Sequence, residues 1–250
     1  MSKGIRTPRE NGYIIFESDE IVAIATGFKS SSANTKTGGM IQTWFLDKRI
    51  NPAEAVKTGQ DKAVCFDCPF AGGNGCYVAV GKAPLGVWRK YQRGGYFHLV
   101  DLSLLSGRKF RFGSYGEPIL LPIETVRTIA AASNGWTGYT HQWRQVKYLA
   151  YRDYLMASTS DADDEIAKRF GWRTFCVTDS ESSDSIMCPA SAEAGHRTTC
   201  EKCGLCSGKL RKTARGIVAS VAKSIRIKSH GIKKNAAYRA IAKQIGTVAA

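Results

Sequence analysis

Acidic residues run out before the chain does: from residue 207 to residue 250 there are eleven lysines and arginines and no aspartate or glutamate. The acid lies upstream, for instance in DADDE at residues 161–165, and the whole chain carries a formal charge of +15. A stretch without counter-charges excludes a surface neutralised by its own ion pairs. It points to a polyanion, so nucleic acid is the expected partner, with Lys209, Arg211, Lys212, Arg215, Lys223, Arg226, Lys228, Lys233, Lys234, Arg239 and Lys243 as the contacting residues. The plainer alternative is a solvated basic face.

Long apolar runs are also missing. The longest, such as that around residues 118–122, fall far short of the roughly 20 residues a membrane span needs, so no membrane partner is expected. The opening MSKGIRTPRENG has no apolar segment of the signal-peptide kind, which leads us to expect a cytoplasmic protein, in the host cell if phage-encoded. There is no internal repeat, no phosphate-binding P-loop, no nucleophile elbow and no dinucleotide fingerprint. FHLVD at residues 97–101 holds one histidine, not the metal-binding pair of rolling-circle nucleases.

What is present alternates. GYIIFESDEIVAIATGF reads as two strands split by a turn, and MIQTWFLDK as a third. Further on, APLGVWRKYQRGG reads as a helix and FHLVDLSLL and KFRFGSYG as strands. PIETVRTIAAASNG reads as a helix, WTGYTHQW and KYLAYRDYLMAST as strands, DADDEIAKRFG as a helix and RTFCVT as a strand. LRKTARGIVASVAK reads as a helix, SIRIKSHG as a strand and KKNAAYRAIAKQIG as a basic amphipathic helix. The expected fold class is α/β, with βαβ units in a partial or irregular parallel barrel. Four segments are expected: a strand-rich lead-in (1–62), a βα core (63–187), a Cys-rich loop (188–208) and a basic helical C-terminal segment (209–250). Trp88, Tyr91 and Tyr96 beside Arg89, Lys90 and Arg93 suit stacking on single strands or, more plainly, the packing of one helix.

The eight cysteines divide as three, four and one. In a reducing compartment they are better read as metal ligands than as disulfides. Cys188, Cys200, Cys203 and Cys206 supply four thiolates, enough to close either a tetrahedral zinc site or an iron–sulfur cluster. Cys65, Cys68 and Cys76 supply three. A three-thiolate site either keeps an open, reactive position or is closed by Cys176 or one of His98, His141, His196 and His230. Cys176, inside an apolar strand, reads first as a buried thiol. His141, between Tyr139 and Trp143, and His230, before Gly231, are proton-transfer candidates at strand ends.

FRFGSYGEPILLP, at residues 110–122, resembles the second strand of radical S-adenosylmethionine enzymes, with Gly116, Glu117 and Pro118 matching the Gly-Gly-Glu-Pro turn and Tyr115 standing at the first glycine. The resemblance covers roughly residues 63–177. It implies a [4Fe–4S] cluster on Cys65, Cys68 and Cys76, an open iron for S-adenosylmethionine and a cofactor contact from Gly116, Glu117 and Pro118; with the two strand-end histidines, Glu117, His141 and His230 are the catalytic candidates. The cysteine spacing departs from the family's CxxxCxxC, being CxxC followed by seven residues and a third cysteine. AVCFDCP, CYVAVGKAPLGVW, GWRTFCV and CGLCSGK together also resemble a family of small phage and mobile-element proteins. The expected function is thus an iron–sulfur, S-adenosylmethionine-type enzyme acting on or near nucleic acid; the alternative is a non-enzymatic zinc protein that binds DNA or RNA in phage replication or regulation.

Overall fold

The structure, a computed structural model, describes residues 8–228. His230, Lys233, Lys234, Arg239, Lys243 and the expected terminal helix lie outside them. Strands β1 (Gly12–Glu17), β2 (Ile21–Thr26) and β3 (Ile41–Asp47) form an antiparallel meander. Helices α1 (Pro52–Thr58), α2 (Lys62–Cys65) and α3 (Ala83–Gln92), the two-residue strand β4 (Phe97–His98) and β5 (Phe110–Tyr115) follow. Next come α4 (Ile123–Ala132), β6 (Trp136–Thr140), β7 (Met156–Ser160), α5 (Asp164–Arg169), β8 (Thr174–Val177) and β9 (Ser185–Met187). The single turn α6 (Cys200–Cys203), the hairpin β10 (Leu210–Thr213) and β11 (Gly216–Ala219), and β12 (Ser224–Ile227) complete the described chain.

Ten strands share one sheet in the order β4-β1-β2-β3-β5-β6-β7-β8-β12-β9. From β3 onward every neighbouring pair is parallel, and β3, β5, β6, β7, β8 and β12 lie side by side in chain order. The fold is therefore mixed α/β with a mostly parallel sheet. The N-terminal meander belongs to that same sheet, because β3 begins its parallel series.

Sequence chemistry explains the elements. Asn51 caps α1 by accepting from the amides of Ala53 and Glu54, and Gly59, at φ 72°, ends it. In α4, Val126, Ile129 and Ala130 make the buried stripe at helical spacing. In β5, Phe110 and Phe112 are fully buried on one side, each worth roughly 2–3 kcal/mol of transfer free energy, while Arg111 between them faces the other side. Helix α5 packs on β7 and β8.

Three expected elements differ. Only Phe97 and His98 of FHLVDLSLL pair as strand, because the Asp101 side chain accepts from the Ser103 amide and starts a 3-10 turn over Leu102–Leu105. In KYLAYRDYLMAST, Val146–Asp153 is a 3-10 helix and only Met156–Ser160 is strand. Tyr148 and Tyr151, three apart, share a face, and the Tyr151 hydroxyl donates to the Leu121 carbonyl at 2.7 Å. LRKTARGIVASVAK is a hairpin where a helix was expected. Thr213 accepts from the Arg215 amide and donates to the Gly216 carbonyl, Gly216 takes φ 110°, and Ile217 and Val218 favour the strand that follows. Helices α1 and α2 and strand β9 went unread. Trp88 and Tyr91 serve packing, their polar tips bonded to the Asp47 carbonyl at 2.9 Å and to the Glu17 carboxylate at 2.6 Å. Among the described residues no helix is long and apolar enough to cross a membrane.

The segment carrying Cys206 has little regular structure, so its buried carbonyls need other donors. Arg173 supplies them: its guanidinium donates to the carbonyls of Leu205, Gly208, Ala222 and Lys223 at 2.7–2.9 Å. Arg173→Leu is expected to lower unfolding free energy by at least about 3 kcal/mol, as measured in urea, because four carbonyls lose a charged donor at once; Arg173→Lys should recover only part.

Candidate metal and ligand cavity

The inner face of the parallel strands and their carboxyl ends enclose a cavity of about 320 Å³. Alternate residues of each strand reach it: Arg111, Gly113 and Tyr115 from β5, Thr137 and Tyr139 from β6, Phe175 and Val177 from β8, Ile225 and Ile227 from β12. All seven cysteines of the two groups line this one cavity.

Each group is set by short local bonds. Cys65 ends α2; then the Cys68 amide donates to the Cys65 carbonyl, and the Cys76 amide to the Phe70 carbonyl, both at 3.1 Å. The Asp61 carboxylate pins this glycine-rich loop by accepting from the Gly72 amide at 2.7 Å. In the second group Thr199 caps α6 and Gly204, at φ 63°, closes it. That turn is bolted to the loop before β3: the Cys200 amide donates to the Lys36 carbonyl, and the Glu201 carboxylate accepts from the Gly39 amide, both at 2.8 Å. Cys188 leaves β9 with its amide on the Arg226 carbonyl, and the Cys206 carbonyl accepts from the Gly138 amide of β6.

The thiols are reduced, and each group is close enough to be coupled electrically. Burial, then the neighbouring Cys68 and Cys76, push the Cys65 thiol far above its usual range. Burial pushes Cys206 up to about 12 despite a hydrogen bond with Tyr139. Cys200 and Cys203 are raised by burial as well. A cation would be needed to hold these groups as thiolates, and metal binding would release their protons. Among the described residues no three His, Cys, Asp or Glu side chains converge tightly enough for a single ion.

Among the described residues expected as donors for a fourth position, His141 alone lines the cavity. His98 is exposed beside Glu17, His196 is exposed, and Cys176 is buried away from the cavity beside Thr159. The His141 Nδ1 lies 2.9 Å from a Glu117 oxygen that also accepts the His141 amide at 3.0 Å, and the other Glu117 oxygen accepts from Thr140 at 2.6 Å. Burial alone would lower the His141 pKa; Cys68 and then Glu117 outweigh it and hold the ring well above its ordinary value. Glu117, 4% exposed, is thus committed to orienting His141 instead of standing open for a cofactor. Gly116 has no room for a side chain, since an added Cβ would stand 2.7 Å from the Phe45 Cβ. Pro118 opens a buried 3-10 turn.

Among the residues that line this cavity, three carry a buried polar atom without a hydrogen-bond partner, Arg111 Nε, Tyr115 Oη and Thr137 Oγ1, while the His141 ring lies between Glu117 and Cys68. None of Arg111, Tyr77, Thr137 and Tyr139 stood out in the sequence. The available sign was Arg111 itself, a charge between two phenylalanines in a strand buried on both faces. Arg111 donates to the Tyr77 hydroxyl at 3.1 Å and lies 5.9 Å from the Tyr139 ring. Such contacts return about 1–2 kcal/mol each, less than the several kcal/mol that a buried unpaired charge costs.

The expected nucleic-acid residues are scattered. Lys209, Arg211, Lys223 and Lys228 are exposed, with Arg215 on the hairpin turn; Lys212 donates to the Ala131 carbonyl, Lys223 to Ser183, and Arg226 to Ser182. Lys228 also lines the cavity. No family model, curated protein or solved structure matches the chain.

Glu117→Ala is expected to lower unfolding free energy by about 2–4 kcal/mol in urea, since Thr140 and two nitrogens of His141 lose their acceptor inside the protein; Glu117→Gln should cost less.

Proposed function

We propose that the protein is an iron–sulfur enzyme of the S-adenosylmethionine type, with both cysteine groups serving one reaction chamber. The observation that carries this reading is the meeting of all seven cysteines on a single cavity that runs along the inner face of parallel strands in chain order. The three-cysteine group shares this cavity with Tyr115, Glu117 and His141 at the carboxyl ends of β5 and β6, the end at which α/β proteins bind ligands. The six strands β3, β5, β6, β7, β8 and β12 then form a partial barrel, its first strand leading to the three-cysteine loop and its second ending at Gly116, Glu117 and Pro118.

The close CxxCxxC spacing of Cys200, Cys203 and Cys206 supports a cluster, whose corner three neighbouring thiolates can wrap, over zinc held by two separated CxxC knuckles. A cluster on Cys65, Cys68 and Cys76 would supply one electron to a cofactor chelated at its open iron. The chain's own residues do the rest. Gly116 lets the chain after β5 pack against Phe45 and Val64, Glu117 fixes the His141 tautomer, His141 carries a proton beside Cys68, and the apolar walls exclude water. Exposed Arg211 and Lys209 bring the chamber near a phosphate backbone.

Anaerobic purification should give a brown protein containing iron and sulfide, with a visible band bleached by dithionite and an electron paramagnetic resonance signal altered by S-adenosylmethionine. Cys65→Ser should remove that response and leave the second group's iron. A colourless protein with about two zinc ions, one per closed tetrahedral site, would end this reading. For the nucleic-acid contact, Arg211→Gln with Lys209→Gln should lower the slope of log K against log salt by about 1–2; an unchanged slope removes these residues from the interface.

A further inference from the structure

We propose that Arg111 is the recognition group for an oxyanion, a carboxylate or a phosphate, on a small-molecule substrate held between the two cysteine groups. Two other guanidinium groups of this protein, Arg173 buried and Arg108 half-buried, set the standard. Arg173 spends its donors on four carbonyls, and Arg108 donates to the carbonyls of Phe28, Gly27 and Gly39. Both are structural clamps with their donors used. Arg111 is as buried as Arg173, at 8% exposed, yet its Nε meets nothing and its side chain donates to the hydroxyl of Tyr77. No carboxylate among the described residues pairs with it, and the cavity's one carboxylate, Glu117, is taken by Thr140 and His141.

A guanidinium is always charged and presents a flat fork of donors that matches an oxyanion. A second unused donor stands beside it: Thr137 is Arg111's direct partner across β5 and β6, faces the same space, and its hydroxyl is buried without a partner. Tyr77, which follows Cys76, is 71% exposed, so the residue over Arg111 sits at the cavity mouth where an entering anion displaces it. On the far side Arg111 lies within the field of Cys200 and Cys206. An anion on Arg111 and Thr137 therefore places its carrier between the groups. Only the word substrate rests on the proposed function; the anion site itself does not require a cluster.

The test compares wild type with Arg111→Met, Arg111→Lys and Thr137→Val in thermal-shift titrations with inorganic phosphate and with acetate, ionic strength being held constant with chloride. One probe should raise the wild-type midpoint saturably, and which one does so tells phosphate from carboxylate. Arg111→Met should abolish the response, Arg111→Lys should need roughly tenfold more anion, and Thr137→Val a few-fold more. Should Arg111→Met not fold, the other two variants decide. No saturable shift with either anion, or an equal shift in the variants, overturns the proposal. So does loss of metal from Arg111→Met at unchanged anion response, which would assign Arg111 to neutralising the thiolates of Cys200 and Cys206. Iron and sulfide content of the wild type judges the enzyme reading separately: an anion response in a protein without iron keeps this inference and sinks that one.

Discussion

Cations on backbone carbonyls hold the loops of this structure to its strands. A cavity lined by cysteines on loops means irregular chain packed inside the protein, and irregular chain carries carbonyls that no helix or ladder satisfies. Buried Arg173 gathers those of Leu205, Gly208, Ala222 and Lys223, half-buried Arg108 those of Gly27, Phe28 and Gly39, and the Lys109 ammonium that of Glu201 at 2.5 Å. In the two arginines several carbonyls share one charge, so neither needs an acidic partner. The second cysteine group is positioned by these bonds together with the apolar cluster of Met156, Ile225 and Ile227 around Cys188 and Cys206.

Those clamps set a rigid frame around an unsatisfied interior. The walls are mostly apolar, the thiols are pushed toward their neutral form, and three lining residues carry a buried polar atom without a partner. Such a space is costly alone and favourable once filled with something that takes up thiolates and hydrogen bonds together. Filling it should therefore stabilise the fold as well as equip it for chemistry, by mass action on the native state.

Much of the sheet was legible. Alternation marked β1, β2, β3 and β5, and acidic start and glycine stop marked α5, because these segments obey local rules that tertiary packing leaves alone. Where several local signals competed, reading failed. LRKTARGIVA has helix formers throughout, yet Thr213 and Gly216 make a turn; Tyr148 and Tyr151 look like strand aromatics and are spaced for a 3-10 helix. Of the site, the two cysteine sets were visible from spacing, but their union in one cavity was not. It depends on β12 entering the sheet beside β8, a pairing across some fifty residues that no local pattern encodes. Glu117 was noticed as a cofactor contact, but its partners inside the fold were not legible, since the hydroxyl and ring it holds come from the end of β6 and the residue after it, more than twenty residues later. Arg111 went unnoticed because one cation in an apolar strand carries meaning only once its side is known to be internal.

The place of β12 has a consequence for biogenesis. It inserts between β8 and β9, so the segment bearing Cys188 cannot take its final place until residue 227 has left the ribosome. Cys65, Cys68 and Cys76 lie against β3, β5 and β6, all of which are made earlier. The wall of the cavity made by Ile225 and Ile227 is thus the last part of it to be synthesised, and a single strand fixes both that wall and the segment that carries Cys188.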